Sequence, residues 1–191
     1  ARHERVDLMV WPESLLTEPI STPGLLEMLQ DLAREMDSAL FTGATRVNEA
    51  SRGWLNSSIL VGRSGDVVGY YDKIHLAPFG EYLPLRRYFP FLEYLVPIED
   101  LEAGTEPVVL QVEARGMGPL ICFEVLFPSM AERLREDGAA FLVVVTNLGW
   151  FGKSNALSQE LAIARVRAIE TRLPLVHSAN TGISGLFDPW G

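Results

Sequence analysis

One cysteine, Cys122, is all that the 191 residues hold. That excludes a disulfide within the chain and any metal site built on several thiolates. Histidine is nearly as scarce. His3, His75 and His177 show no metal-ligand spacing, so neither a metal nor another cofactor is expected. Positive charge is in deficit: 16 Lys and Arg stand against 25 Asp and Glu, a formal charge of -9. A nucleic-acid binder would normally carry a basic stripe, so that class is set aside. No apolar run approaches the ~18 residues of a membrane span, although local apolar surface can still touch a membrane. The opening Ala1-Arg2-His3-Glu4-Arg5 is charged, but the apolar stretch after it, Val6 to Trp11, is too short for a secretory signal. Internal repeats, low-complexity tracts and linkers are also missing, which predicts one domain over residues 1–191.

What is present is ordinary globular composition, 48% hydrophobic and 21% charged, with the length for one sizeable core. Val6 to Trp11 reads as a strand stopped by Pro12, with Glu13 at its C-terminal mouth. Thr22-Pro23 predicts a helix start, with Thr22 as N-cap and Pro23 in the first helical position. Leu25, Leu29, Leu32 and Met36 then share one helix face. Ala39 to Gly43, Trp54 to Val61, Val67 to Tyr71, Pro107 to Val112 and Leu120 to Phe123 read as strands. Ser129 to Glu136 predicts a short helix. The continuous apolar run Ala140 to Thr146 predicts a strand buried on both faces. Ser158 to Arg172 predicts a second long helix, and Leu173 to Ala179 a last full strand. Strand and helix alternate throughout, so the class is α/β.

The stretch from Leu76 to Pro97 has a different character. Four prolines exclude one long regular element, and six aromatics (Phe79, Tyr82, Tyr88, Phe89, Phe91 and Tyr94) make it apolar. Both ends of the chain look cut: a core strand opens it almost at once, and Ser184 to Gly191 stops in a strand running into a turn.

Three reactive residues occupy comparable places. Glu13, Lys73 and Cys122 each follow or end a strand, where α/β sheets build their sites. A lone cysteine is by default a small core hydrophobe. With a base it becomes a nucleophile, and Glu13 can be that base. Lys73 can stabilise an oxyanion and favour the thiolate. Other readings stand beside this one. His75 or His177 can serve a Cys-His hydrolase, though a histidine near an apolar strand is more often a satisfied core group. Glu81 and Glu124 can be structural partners of Arg86, Arg87 or Lys153. Trp150 and Phe151 read as packing residues of a turn, and the charges from Glu132 to Asp137 as a solvated helix face.

Trp11-Pro12-Glu13-Ser14, Tyr71 to Pro84 (YDKIHLAPFGEYLP), Ile121-Cys122-Phe123-Glu124 and Asn147 to Gly152 (NLGWFG) occur in this order. Together they resemble the nitrilase (carbon–nitrogen hydrolase) superfamily, and within it the apolipoprotein N-acyltransferase branch. The resemblance spans Val6 to Gly191. It implies a four-layer α-β-β-α sandwich, here truncated at both ends, with its first strand missing and an edge exposed. It implies Glu13 as general base, Lys73 as oxyanion stabiliser and Cys122 as nucleophile. Glu81 is implied as a second active-site glutamate and Glu124 as the acidic residue past the cysteine. Tyr82, Asn147 and Trp150 belong to the motifs and are implied as supporting or substrate-binding residues. Three positions depart from the branch: Phe123 where tyrosine is frequent, Leu148 where aspartate is common, and His177 where arginine is frequent.

The implied reaction moves a fatty acyl group from a phospholipid, through a Cys122 thioester, to the N-terminal amine of a diacylglyceryl-cysteine on an apolipoprotein. The implied setting is the bacterial inner membrane, with this domain on the periplasmic side of a helical bundle that the sequence lacks. The 76–97 loop is a further expected membrane contact. A soluble amidase of the same superfamily is the first alternative. A nitrilase-like domain that binds lipid or protein without turnover is the second.

Overall fold

A computed structural model describes residues 5–86, 88, 89, 91, 94 and 100–191. Positions 87, 90, 92, 93 and 95–97 of the expected apolar loop lie outside them. The strands are β1 (Leu8–Val10), β2 (Ala39–Val47), β3 (Trp54–Val61), β4 (Val67–Asp72), β5 (Leu110–Val112), β6 (Arg115–Ile121), β7 (Phe141–Thr146), β8 (Leu175–Ala179) and β9 (Gly185–Phe187). The α-helices whose bounds fall among the described residues are α1 (Leu25–Glu35), α2 (Pro128–Glu136) and α3 (Ala156–Thr171).

The strands form two sheets among the described residues, ordered β1-β2-β3-β4 and β5-β6-β7-β8-β9. In the first, β1 runs parallel to β2 and the other pairs are antiparallel. In the second, β6, β7 and β8 are parallel, flanked by antiparallel β5 and β9. Alternation along a strand explains how the sheets stack. On β2, Phe41 joins a core shared with β6 and β7, whereas its neighbour Leu40 faces the other way, toward Leu29 and Ala33 of α1. On β3, Leu60 and the pair Ile59 and Val61 divide in the same manner. Helices α2 and α3 cover the outer face of the second sheet, with Met130, Leu134, Ala164 and Ala168 in its core. The result is the expected α-β-β-α layering. Four consecutive residues of β7, Leu142 to Val145, are fully buried, because one face meets the first sheet's core and the other the helices. Each such side chain contributes roughly 1.5–3 kcal/mol.

Several expected boundaries move. The first helix begins at Leu25, not Pro23, and Gly24, with φ 82°, takes the cap position. Glycine adopts that left-handed backbone without a Cβ clash, so the turn closes there and Thr22 offers only its carbonyl, to the Leu25 N–H. The expected strand Leu120–Phe123 ends at Ile121, and Cys122 starts a 3-10 turn, Cys122–Leu126. Strand β5 is shorter than the expected Pro107–Val112. Strands β2 and β4 run further than expected, to Val47 and Asp72.

Candidate active site

The C-terminal ends of β1, β4, β6 and β7 meet at one end of the sandwich. Each delivers one group to a cavity of about 900 Å³. Glu13 arrives on the loop after β1. That loop crosses β2 so closely that a Cβ on Gly43 would lie 2.8 Å from the Glu13 Cα, so only glycine fits there. Lys73 follows β4, Cys122 follows β6 and Asn147 follows β7. All four line the cavity together with Asn56 of β3 and Glu81.

Glu13 is 6% exposed and held at both oxygens. The Asn56 side-chain amide donates to Oε1 and the Asn147 backbone N–H to Oε2, each at 2.8 Å. Lys73, 1% exposed, places Nζ 3.8 Å from Oε1 of Glu13 and 2.8 Å from Oε2 of Glu81. Glu81 also takes the Ala77 N–H at 2.7 Å and the Asn56 amide at 2.5 Å. One ammonium therefore lies between two carboxylates, and one asparagine bridges both. Burial raises the Glu13 pKa above its ordinary value, while Lys73 and Asn56 pull it back. Burial works against the Lys73 cation, but the charges of Glu13, Cys122 and Glu81 outweigh it and raise its pKa.

Cys122 has φ 50°, a left-handed backbone that is uncommon for a residue with a side chain. It turns the chain sharply at the end of β6, where the strand gives way to the 3-10 turn. Burial pushes the thiol up to about 12, with Glu13 and Glu160 adding to the rise and Lys73 and the Thr146 hydroxyl opposing it. At neutral pH the Cys122 side chain is therefore a thiol, which would need a base to act as a nucleophile.

Glu124 serves a different purpose from the cavity carboxylates. It is fully buried, and it does not line the cavity. Its Oε1 accepts from the Tyr71 hydroxyl and the Ile74 and His75 N–H groups, and its Oε2 from the Ile121 N–H. It thereby ties the residues flanking Lys73 to those flanking Cys122. Burial raises its pKa, and these four donors oppose the rise.

Of the expected site residues, Glu13, Lys73, Cys122, Glu81, Asn147 and Trp150 come together around the cavity. Tyr82 does not line it; its carbonyl accepts the Phe79 N–H at 2.8 Å and closes the turn that carries Glu81. Trp150 and Phe151 are not packed as expected. They are 81% and 54% exposed and stand at the cavity mouth with Phe79 and Leu126. Neither His75 nor His177 lines the cavity. His75 stacks on Phe127 with ring centroids 4.1 Å apart, and His177 is buried beside Glu160. Glu81 takes Lys73 as its partner, while Arg86 reaches Asp100 at 3.1 Å. Three residues escaped sequence reading: Asn56, Asn180 and Glu160. Asn180 donates to the Glu13 carbonyl at 3.3 Å. An amide in a strand or after one carries no spacing signal, so its role shows only in three dimensions. Among the described residues no three His, Cys, Asp or Glu side chains are grouped to hold a metal ion.

The carbon-nitrogen hydrolase family model matches residues 1–191. A Geobacter metallireducens protein named apolipoprotein N-acyltransferase is 38% identical over 189 residues, covering 97% of this chain and 36% of that protein. A Chlorobaculum tepidum protein of the same name is 32% identical over 217 residues, covering 100% of this chain and 41% of the relative. The chain thus spans well under half the length of these curated relatives. Among solved structures, Nit3 of Saccharomyces cerevisiae, a nitrilase-superfamily member, superimposes with a TM-score of 0.71 at 20% identity, over 97% of this chain and 70% of that one. An amidase mutant from Nesterenkonia sp. AN1, carrying an acetamide moiety on its active-site cysteine, gives 0.68 at 21% identity, over 96% and 70%. By the match of its whole length to the family model, and with a fold shared with these structures, the chain belongs to the carbon-nitrogen hydrolase family.

Proposed function

We propose that this chain is the catalytic domain of an apolipoprotein N-acyltransferase, passing a fatty acyl group from a phospholipid to the N-terminal amine of a diacylglyceryl-cysteine. The observation that carries the reading is the convergence of Glu13, Lys73 and Cys122 in one cavity whose mouth is apolar and exposed. The likeness to proteins named apolipoprotein N-acyltransferase supports the choice of acceptor.

In the first half-reaction the Cys122 sulfur attacks the donor ester carbonyl while Glu13 takes the thiol proton. The oxyanion forms next to the buried Lys73 ammonium, whose charge is little screened there. The intermediate collapses, Glu13 returns the proton to the leaving alcohol, and a thioester and a lysophospholipid result. In the second half-reaction the amine attacks the thioester and Glu13 takes a proton from its nitrogen. The carbon–sulfur bond breaks and the proton goes to the thiolate, leaving an amide and free Cys122. Glu81 and Asn56 keep Lys73 and Glu13 in register through both steps.

The apolar mouth suits donors held in a bilayer. Phe79, Leu126, Trp150 and Phe151 are all at least 40% exposed, an arrangement that costs solubility unless lipid covers it. Among the described residues no helix is long and apolar enough to cross a membrane. The relatives named apolipoprotein N-acyltransferase are more than twice as long as this chain, which supports reading it as the periplasmic domain of a longer protein anchored at the bacterial inner membrane. The test is transfer of a labelled acyl chain from phospholipid in detergent micelles to a synthetic diacylglyceryl-cysteine peptide. Transfer that Cys122→Ala abolishes is expected. Ammonia release from small amides without acyl transfer would replace the reading with a soluble amidase.

A further inference from the structure

Glu160 and His177 have no part in the chemistry above, yet they form a buried pair beside it. Glu160, on the second turn of α3, is 7% exposed and lines the same cavity as Cys122. His177, on β8, is 1% exposed. Its Nδ1 lies 2.9 Å from the Ile183 carbonyl oxygen, and its Nε2 lies 3.4 Å from Oε1 of Glu160. A carbonyl only accepts, so Nδ1 carries a hydrogen. Nε2 then faces a carboxylate oxygen, and a proton must lie between them, on the imidazole or on Glu160. The pair is net neutral either way, which makes its burial affordable. Oε1 is thus taken by His177, while Oε2 has no hydrogen-bond partner among the described residues. The other two cavity carboxylates differ: both Glu13 and Glu81 have each oxygen engaged by Asn56, Lys73 or a backbone N–H.

A primary amine brings two N–H bonds to the thioester. One proton leaves to Glu13 during attack, and the other stays on the amide nitrogen. The retained N–H calls for an acceptor among the side chains that line the cavity. We propose that Oε2 of Glu160 is that acceptor, making Glu160 the residue that selects a primary amine as acyl acceptor, with His177 as the positioning residue that fixes its carboxylate. This rests on the acyltransferase reading.

The test separates the two. The full-length protein is acylated with p-nitrophenyl butyrate, a small ester that bypasses the lipid donor, and the burst of p-nitrophenol reports acyl-enzyme. Partition of that acyl-enzyme between water and an added amine is then measured for glycinamide, a primary amine, and sarcosinamide, its N-methyl counterpart with one N–H. The wild type is expected to favour glycinamide over sarcosinamide by at least tenfold. Glu160→Leu and His177→Leu are expected to reduce that preference to within about threefold. Glu160→Gln, whose amide can donate to His177 and still present an oxygen to the cavity, restores most of it. A merely structural role for the pair would scale both amines and water together. Equal use of the two amines by the wild type, or a preference unchanged in Glu160→Leu, overturns the proposal. If Glu160→Leu gives no burst, Glu160→Met is read in its place, and the wild-type comparison still decides. A wild type that forms acyl-enzyme but transfers it to no amine removes the acyltransferase reading, and this proposal with it.

Discussion

The Asn147 backbone N–H donates to Oε2 of Glu13 at 2.8 Å, across 134 positions of sequence and from one sheet to the other. The candidate base is therefore aimed by a strand it does not belong to. Glu13→Gln should be disabled twice over. Its amide group must turn toward either Asn147 or Asn56, both of which donate, and the remaining oxygen is no base. Acyl-enzyme formation, read as the p-nitrophenol burst rate, is expected to fall at least 100-fold. Glu13→Gln should still fold, since it removes a buried charge along with one hydrogen bond. A burst rate within threefold of wild type would show that Glu13 is not the base.

The acid–base positions of Glu13 and Cys122 give a pH prediction. Burial raises the Glu13 pKa above 4.5 and pushes Cys122 up to about 12. A base works only when ionised, so alkylation of Cys122 by iodoacetamide should be slow at acid pH. It should climb as pH passes the raised pKa of Glu13, then level across neutral pH. In Glu13→Gln that limb should vanish, leaving one rise at strongly alkaline pH as the free thiol ionises. A wild-type profile with only the alkaline rise would remove Glu13 from the thiol's activation.

Lys73 and its two carboxylates should behave as one unit. Lys73→Met leaves Glu13 and Glu81 buried without their ammonium, and breaking such a group costs about 3–5 kcal/mol of stability. Removing a carboxylate as well, in Lys73→Met/Glu81→Gln, should restore part of that loss, so the two substitutions will not add. Urea unfolding of the four proteins measures the cycle. Additive losses would mean that the 2.8 Å contact between Lys73 and Glu81 carries little coupling.

The exposed mouth predicts a split between donors. Trp150→Ser/Phe151→Ser should lower the rate on phospholipid vesicles by at least tenfold. Turnover of p-nitrophenyl acetate, which needs no apolar mouth, should change far less. Equal losses on both donors would assign these aromatics to packing, the role their sequence context suggested.

The buried core was the legible part of the chain. A run such as Leu142 to Val145 announces a strand covered on both faces, because any polar residue there would lie unsatisfied. That Glu13, Lys73 and Cys122 meet in one cavity was legible through the order of their motifs; spacing alone says little about meeting in space. Local turns were harder. Apolar residues run through Ile121 into Cys122 and Phe123, and nothing in that pattern marks the left-handed turn at Cys122. Thr22-Pro23 looks like a helix start, yet the positive φ of Gly24 moves the start to Leu25. Trp150 looked like a packing residue because aromatic residues usually are, and its exposure is a property of the assembled mouth. Asn56 and Glu160 were silent for a related reason: their value lies in partners that only the fold supplies.

The most direct test of the central claim is the intact mass of the full-length protein after incubation with phospholipid in detergent. A fatty-acyl increase that maps to Cys122, and disappears when a diacylglyceryl-cysteine peptide is added, is the predicted result. An unmodified mass under conditions where the peptide still becomes acylated would contradict a Cys122 thioester.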